Sequence, residues 1–366
     1  MQGPDPRYDA YRQRRTFTSL DGLRALCIGV VVWHHSDVPP LAAAIWPAGR
    51  FGFLGVDLFF AISGYLIVTL LLRERERRGD ISLKNFYIRR ALRIWPVYYG
   101  LLLAFAVLYL GLKRGSEAGQ AYAHDLPWLL LYLTNWVPAH GLLHVTWSLA
   151  AEEQFYFIWP PVEKWLRGQA LTLVLVIIAV SVAIQLGVVD PLLQRAFGWA
   201  PNEPAMLRET GFTPISLGVL LAHLMHRRGS FVVIDRLLGA RWVAPLLLAV
   251  LVGYSNLLPA EISGLPRLGV HVLMLLLLAA CVVREDHGLH GVLTWRPLAR
   301  IGALSYGIYL FHQICLGGAR AVAGKVGLGH PVVVLVLGSI GVWIVAEISF
   351  RYYESWFLKR KERFGA

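Results

Sequence analysis

Arg24 and His35 are the first pair whose types and spacing suggest chemistry. Between Leu20 and Asp37 the chain reads Leu-Asp-Gly-Leu-Arg-Ala-Leu-Cys-Ile-Gly-Val-Val-Val-Trp-His-His-Ser-Asp. That run is apolar enough to cross a bilayer, yet it holds Asp21, Arg24, His34 and His35. An ionisable group inside a membrane segment costs roughly 3 kcal/mol, so it faces a partner or a wet cavity. Arg24 and His35 are eleven positions apart. At about 100° per residue this is close to three turns, which puts both on nearly one helix face with a rise of about 16 Å between them. An imidazole is a general base near neutral pH, and a neighbouring carboxylate can orient and charge it. The pattern therefore describes a path with a fixed cation near one end and a base near the other. The plainer reading is a histidine hydrogen-bonded at the membrane interface and an arginine paired with Asp21 one turn away.

Other candidates follow the same logic. Thr146-Trp-Ser-Leu-Ala-Ala-Glu-Glu-Gln-Phe-Tyr-Phe157 puts Glu152 and Glu153 in an apolar helix, with Ser148 four residues before Glu152. Adjacent side chains leave a helix about 100° apart, so the two acids are expected in different roles, one facing a cavity and one held by a structural partner such as an arginine. Arg90 and Arg93 are neighbours on a helix surface, a spacing suited to gripping phosphate; positive-inside anchoring explains the same cluster. Asp57 lies in a second apolar run, Gly52-Phe-Leu-Gly-Val-Asp-Leu-Phe-Phe. His312 is buried in a third and is as readily structural as functional. Glu347, Arg351 and Glu354 read as a packing network, and Gly52, Gly55 and Gly64 as close helix contacts. Cys27, Cys281 and Cys315 are isolated in separate apolar runs, so neither a disulfide framework nor a metal motif is read.

These residues need membrane helices to position them. Of 366 residues, 56% are hydrophobic and only 16% charged, against about a quarter in soluble domains. Apolar runs recur near 18–37, 52–72, 95–112, 145–165, 170–189, 211–227, 241–259, 266–284, 299–320 and 330–353. The fold class is all-α and polytopic, with about ten transmembrane helices plus one short re-entrant or interfacial segment at 126–137. Residues 1–16 are expected as a disordered basic N-terminus, 17–358 as one transmembrane domain and 359–366 as a basic cytoplasmic tail. The +12 net charge lies in loops between apolar runs, which favours anionic lipid over nucleic acid as its counterpart. Treating 126–137 as non-spanning puts nearly every basic cluster, and both termini, on the cytoplasmic side. The first span then runs outward, and order and direction alone bring His35, Asp57 and Glu152 to one depth near the outer face. No cleavable signal peptide is read.

In this order the motifs resemble the acyltransferase 3 family of integral-membrane acyltransferases. The resemblance rests on Leu20-Asp-Gly-Leu-Arg24, the Arg24–His35 spacing, Gly52-Phe-Leu-Gly-Val-Asp57-Leu-Phe-Phe with Ser63-Gly64, Arg90-x-x-Arg93, Trp147-Ser-Leu with Glu152-x-Gln154-Phe-Tyr, and Ser349-Phe-Arg351-Tyr-Tyr-Glu354. It implies an acyl-CoA co-substrate, usually acetyl-CoA, with no tightly bound cofactor and no metal, His35 catalytic and the arginines (Arg24, Arg90, Arg93) on the donor. It also implies a carbohydrate or glycoconjugate acceptor, and a bacterial inner membrane as the setting. The match departs from the family pattern at 200–222, where Arg208 is followed by Glu209-Thr-Gly-Phe-Thr. Some family members carry an extracytoplasmic esterase-like domain; none is read here. The expected reaction is O-acylation of a sugar hydroxyl with His35 as base, oriented by Asp57 or Glu152, or through an acyl-histidine. His34, Glu153, His312 and Ser148 are further candidates. A macrolide or other small glycosylated metabolite is an alternative acceptor. A proton-coupled transporter is the rival of another class, because membrane-embedded His, Glu and Arg also form proton relays.

Overall fold

The computed structural model describes residues 5–14, 16–38, 42, 46–197, 212–259 and 262–364. Among these, every regular element is a helix. In chain order they are α1 (Pro6–Gln13), α2 (Ser19–His34), α3 (Leu54–Arg78), α4 (Leu83–Ala106), α5 (Glu117–Leu130), α6 (Thr146–Trp165), α7 (Ala170–Gln185), α8 (Asp190–Phe197), α9 (Phe212–His226), α10 (Arg228–Leu238), α11 (Val243–Leu257), α12 (Gly264–Val283), α13 (His290–Leu293), α14 (Arg296–Ala303), α15 (Ser305–Lys325), α16 (Pro331–Ile348) and α17 (Ser355–Lys361). Their starts follow local chemistry. Ser82 accepts from the Asn85 N–H to begin α4, Ser116 accepts from Gly119 to begin α5, and Asp5 caps α1 ahead of Pro6, each supplying an oxygen to an otherwise unpaired amide.

The chain is an all-α, multi-pass membrane protein. Leu54–Arg78, Leu83–Leu112, Gly264–Val283 and Pro331–Arg360 are long and apolar enough to cross a bilayer. Two bent pairs raise the count to six: Ala170–Gln185 with Asp190–Ala196, and Phe212–His226 with Arg228–Leu238. The expected ten are not all reached on length and composition. α2 has 16 residues and α11 has 15, against the ~20 a straight span needs, and α6 carries Glu152, Glu153, Glu163 and Lys164. Residues 126–137 hold only the end of α5 followed by turns, with Tyr132 at φ 53°. The basic stretch 73–93 is mostly helix. α3 runs to Arg78 and α4 starts at Leu83, joined through Gly79 at φ 78°, a left-handed turn that suits glycine.

The helices gather into two compact units. The first comprises Met1–Arg73 and Arg167–Ser305. Its helices touch backbone to backbone. A Cβ on Gly22 would fall 2.2 Å from the Leu293 carbonyl oxygen, and one on Gly302 1.8 Å from that of Asp21, so α2 lies directly on α13 and α14. A Cβ on Gly52 would fall 2.1 Å from Val30 O and one on Gly55 2.5 Å from Cys27 O, bringing the start of α3 onto α2; Gly64 and Gly218 do the same between α3 and α9. Small residues let membrane helices approach where lipid gives no hydrophobic drive. The N-terminus corrects an expectation, because residues 6–13 are helical and docked rather than disordered. Tyr11 is buried, shares a hydrogen bond with Tyr65 at 3.0 Å and packs on Phe231, while Arg7 pairs with Asp235 at 2.8 Å. The aromatic anchors outweigh the polar composition of the segment.

The second unit comprises Glu74–Leu166 and Tyr306–Ala366. Tyr98 stacks on Tyr132 (ring centroids 4.4 Å apart) and donates to Leu129 O at 2.9 Å, fastening α4 to the turn after α5. Gln154 of α6 closes the same turn, donating to Tyr132 O and to the Asn135 side chain, each at 2.7 Å. The tail is tied as well, since Arg89 of α4 donates to Phe364 O at 2.7 Å. Glu347 pairs with Arg351, and Ser349 donates to Glu354 at 2.9 Å.

Candidate active site

In the first unit, α2 carries Arg24 near its start, and His35 is its C-terminal cap residue. Both are half-buried, and Ile28 and Val31, on the stripe between them, are buried. The stripe therefore faces protein. Nδ1 of His35 lies 3.0 Å from Val31 O. A carbonyl oxygen only accepts, so Nδ1 carries the hydrogen and Nε2 is the basic nitrogen. His34 is arranged in the same way, with Nδ1 donating to Arg50 O at 3.1 Å. Gly52 sets the second ring, because its missing side chain leaves room for the Cβ of His34. At the other end of α2, Arg24 pairs with Asp21 at 3.2 Å. The cleft beside it is lined by Asp21, Glu285, Asp286 and His290, an acidic set that does not suit phosphate. Outside the apolar helices, hydrogen bonds from Arg284 and Arg241 hold the Asp286 carboxyl far below the usual carboxylate range.

Asp57, in the first turn of α3, is 1% exposed. Its Oδ2 accepts from His271 Nε2 at 2.9 Å and from Arg267 at 3.3 Å. Asp57, expected with Glu152 as a group that could orient His35, thus anchors a buried cluster on α12, while His35 Nδ1 bonds a carbonyl of its own helix. The two groups are still neighbours through Phe53, whose ring meets His34 (centroids 5.5 Å apart) on one side and the Arg267 guanidinium (5.7 Å) on the other. Arg267 and His271 were missed in the sequence. They stand four apart in an apolar run, the same signal that singled out Arg24 and His35. The Nδ1 of His271 is buried and has no hydrogen-bond partner among the described residues. An apolar cavity of about 150 Å³ runs beside α2, lined by Leu26, Val30, Leu54, Leu58, Met274 and Leu277 among others. That is the size of a cavity holding one benzene-like guest, which is enough for a short acyl group and too small for an extended cofactor arm.

In the second unit, Glu152 accepts from the Tyr156 hydroxyl, and the Arg90 guanidinium lies 4.5 Å over the Tyr156 ring. Arg90, Tyr156 and Glu152 thus form one chain of contacts between α4 and α6. Arg93 follows Arg90 by one turn and is half-buried. Glu153 accepts from Trp95 Nε1 at 3.1 Å, and its buried Oε1 has no hydrogen-bond partner among the described residues. Its held partner is therefore an indole and not the expected arginine. Ser148 donates to the Tyr309 hydroxyl at 2.7 Å, and the hydroxyl donates to Val145 O at 2.9 Å. His312 is fully buried, with Nδ1 donating to Tyr309 O. Arg208 and Glu209 lie outside the described residues.

A family model described as an acyltransferase domain matches residues 17–348. The chain belongs to the acyltransferase 3 family. Among curated proteins it is similar to the peptidoglycan O-acetyltransferase OatA of Listeria monocytogenes, 28% identical over 93% of this chain and 56% of that protein. It is 27% identical to the putative peptidoglycan O-acetyltransferase YrhL of Bacillus subtilis, over 95% of this chain and 56% of that protein. A putative O-acetyltransferase of Staphylococcus aureus is 29% identical over 96% of this chain and 59% of that protein. The chain thus spans a little over half the length of these relatives. No solved structure matches it. Set in this family, the buried ionisable residues of both units are the natural place to look for acyl-transfer chemistry.

Proposed function

We propose that the protein is a membrane O-acyltransferase that moves an acyl group, acetyl in size, from acyl-CoA to a hydroxyl of an envelope carbohydrate, with His35 as general base. The observation that carries this reading is the hydrogen bond from His35 Nδ1 to Val31 O. It puts hydrogen on Nδ1, so that in the neutral ring Nε2 is the nitrogen that takes a proton, on the helix that also carries Arg24. Nε2 removes the acceptor's hydroxyl proton, the oxygen attacks the thioester carbonyl, and the C–S bond breaks. The leaving thiolate then takes the proton back from the imidazolium. In the second unit, the Arg90 guanidinium plane lies on the Tyr156 ring, a posture suited to gripping a phosphate.

The names of the relatives support a peptidoglycan-type glycan as acceptor. The buried Asp57–His271 pair favours a second assignment within the same reaction, with His271 as the base through its unpartnered Nδ1. The test is transfer of label from acetyl-CoA to glycan fragments by purified protein. His35→Ala should lower the rate by about 10²–10⁴, and His271→Gln by less than tenfold. The opposite ranking would move the base to His271. Substrate flux into liposomes without acyl-CoA turnover would replace acyl transfer by proton-coupled transport.

A further inference from the structure

Three ligand-bearing side chains in the second unit are used by none of the chemistry above. His124 and Asp125 lie on α5, and His140 precedes the turn into α6. The Asp125 side chain is 4% exposed, whereas those of His124 and His140 are 65% and 64% exposed. Oδ1 of Asp125 lies 3.1 Å from His124 Nδ1 and 2.9 Å from His140 Nδ1; Oδ2 lies 3.0 Å from His140 Nδ1 and accepts from the His140 backbone N–H at 2.6 Å. One ligand atom from each residue falls within 4.8 Å of the other two.

We infer that His124, Asp125 and His140 form a binding site for a divalent transition metal of the zinc type. Two imidazoles and one carboxylate are a zinc donor set that leaves a fourth position for water. Calcium and magnesium, which take six or more oxygens, are poorly matched. The geometry is close. With metal–ligand bonds of about 2.1 Å, donors 2.9–3.1 Å apart subtend roughly 90°, and a tetrahedral site needs them about 3.4 Å apart. An opening of about half an ångström is needed in the two carboxylate–imidazole separations, with the imidazole nitrogens, within 4.8 Å of each other, set at the same spacing. The two imidazoles can supply it because they face solvent, while buried Asp125 stays fixed by the His140 amide. Ligation through Nδ1 places each ring's hydrogen on the outward Nε2.

The metal would tie the last turns of α5 to the entry of α6, fifteen residues apart at Asp125 and His140. Between them runs the turn that holds Tyr132, Asn135 and Trp136 against Gln154. The expected role is a clamp on this loop, which leads into the helix bearing Ser148, Glu152 and Glu153.

The experiment uses the full chain in detergent, carrying an affinity tag without histidines and stripped with EDTA. Zn²⁺ is added, and bound metal is counted by mass spectrometry after gel filtration, alongside the thermal midpoint. One equivalent at micromolar Zn²⁺ and a raised midpoint are expected, with no response to Mg²⁺ or Ca²⁺. In His124→Gln/His140→Gln, binding should fall at least tenfold and the rise should vanish. Failure of the wild type to hold Zn²⁺, or equal binding by the double variant, would overturn the site and leave a hydrogen-bonded triad. If the double variant does not elute as a single species, His140→Gln decides by Co²⁺ absorption: a four-coordinate spectrum in the wild type that disappears in the variant supports the site, and an unchanged spectrum overturns it.

Discussion

Replacing Asp57 by alanine leaves the guanidinium of Arg267, whose side chain is 10% exposed, in the first unit without its carboxylate. Removing one partner of a buried ion pair costs about 3–5 kcal/mol, because the other charge stays desolvated. His271 Nε2 also loses its acceptor, which adds about 1 kcal/mol, so Asp57→Ala should destabilise by roughly 4–6 kcal/mol. Asp57→Asn keeps an acceptor oxygen and loses only the charge, for about 1.5–3 kcal/mol. Arg267→Met alone strands the carboxylate, although His271 can still donate to it, and should cost about 2–4 kcal/mol. In Asp57→Ala/Arg267→Met neither charge remains, so the double variant should recover about 2–3 kcal/mol relative to the sum of the singles. The assay is a double-mutant cycle by equilibrium unfolding in mixed micelles with SDS, followed by tryptophan fluorescence. A coupling energy below about 0.5 kcal/mol, within the range of independent sites, would refute the view that this cluster anchors the end of α3 beside the histidines.

Three further outcomes are expected. His287, 2% exposed and bonded to Ser19, has its basicity lowered to a pKa of about 4, by burial first and then by the nearby charges of His290 and Arg14. The unfolded chain therefore takes up the proton first as pH falls. This stabilisation is present above about pH 6.5 and lost down to about pH 4, at up to about 1.4 kcal/mol per pH unit; unfolding at a series of pH values should show the slope, and His287→Gln should flatten it. Arg90→Lys keeps the charge but loses the planar stack on Tyr156, so the KM for acyl-CoA should rise about tenfold with kcat changed less, and a variant with wild-type KM would show that a point charge suffices. Gly302→Val drives a side chain into the Asp21 carbonyl, 1.8 Å from the new Cβ; overpacking of about 1–3 kcal/mol or more should appear as a lower midpoint and a loss of the monodisperse species.

Much of the fold was legible because apolar runs and helices coincide when backbone groups have no water to bond. α6 at Thr146–Trp165 and α12 at Gly264–Val283 fall within a few residues of the runs at 145–165 and 266–284. Less legible were the ends. Charge between apolar runs suggests loop and solvent, yet Arg75 near the end of α3 and Arg89 in α4 are helical and pair with Glu163 and Glu74. The N-terminal helix was hidden for the same reason: its polar composition says nothing of the tyrosine pair, Tyr11 and Tyr65, that docks it.

From the amino-acid order alone came the helical membrane class, the face shared by Arg24 and His35, and a motif order that names the family, since each depends on neighbours a few positions apart and on the cost of charge in lipid. Tertiary structure alone decided which partner each ionisable group meets. Asp57 finds Arg267 and His271 more than two hundred positions away, His35 is oriented by the carbonyl of its own helix, and His124, Asp125 and His140 converge across a turn. Those pairings depend on how helices cross, and helices cross where glycines let backbones touch, a distance that local spacing does not encode.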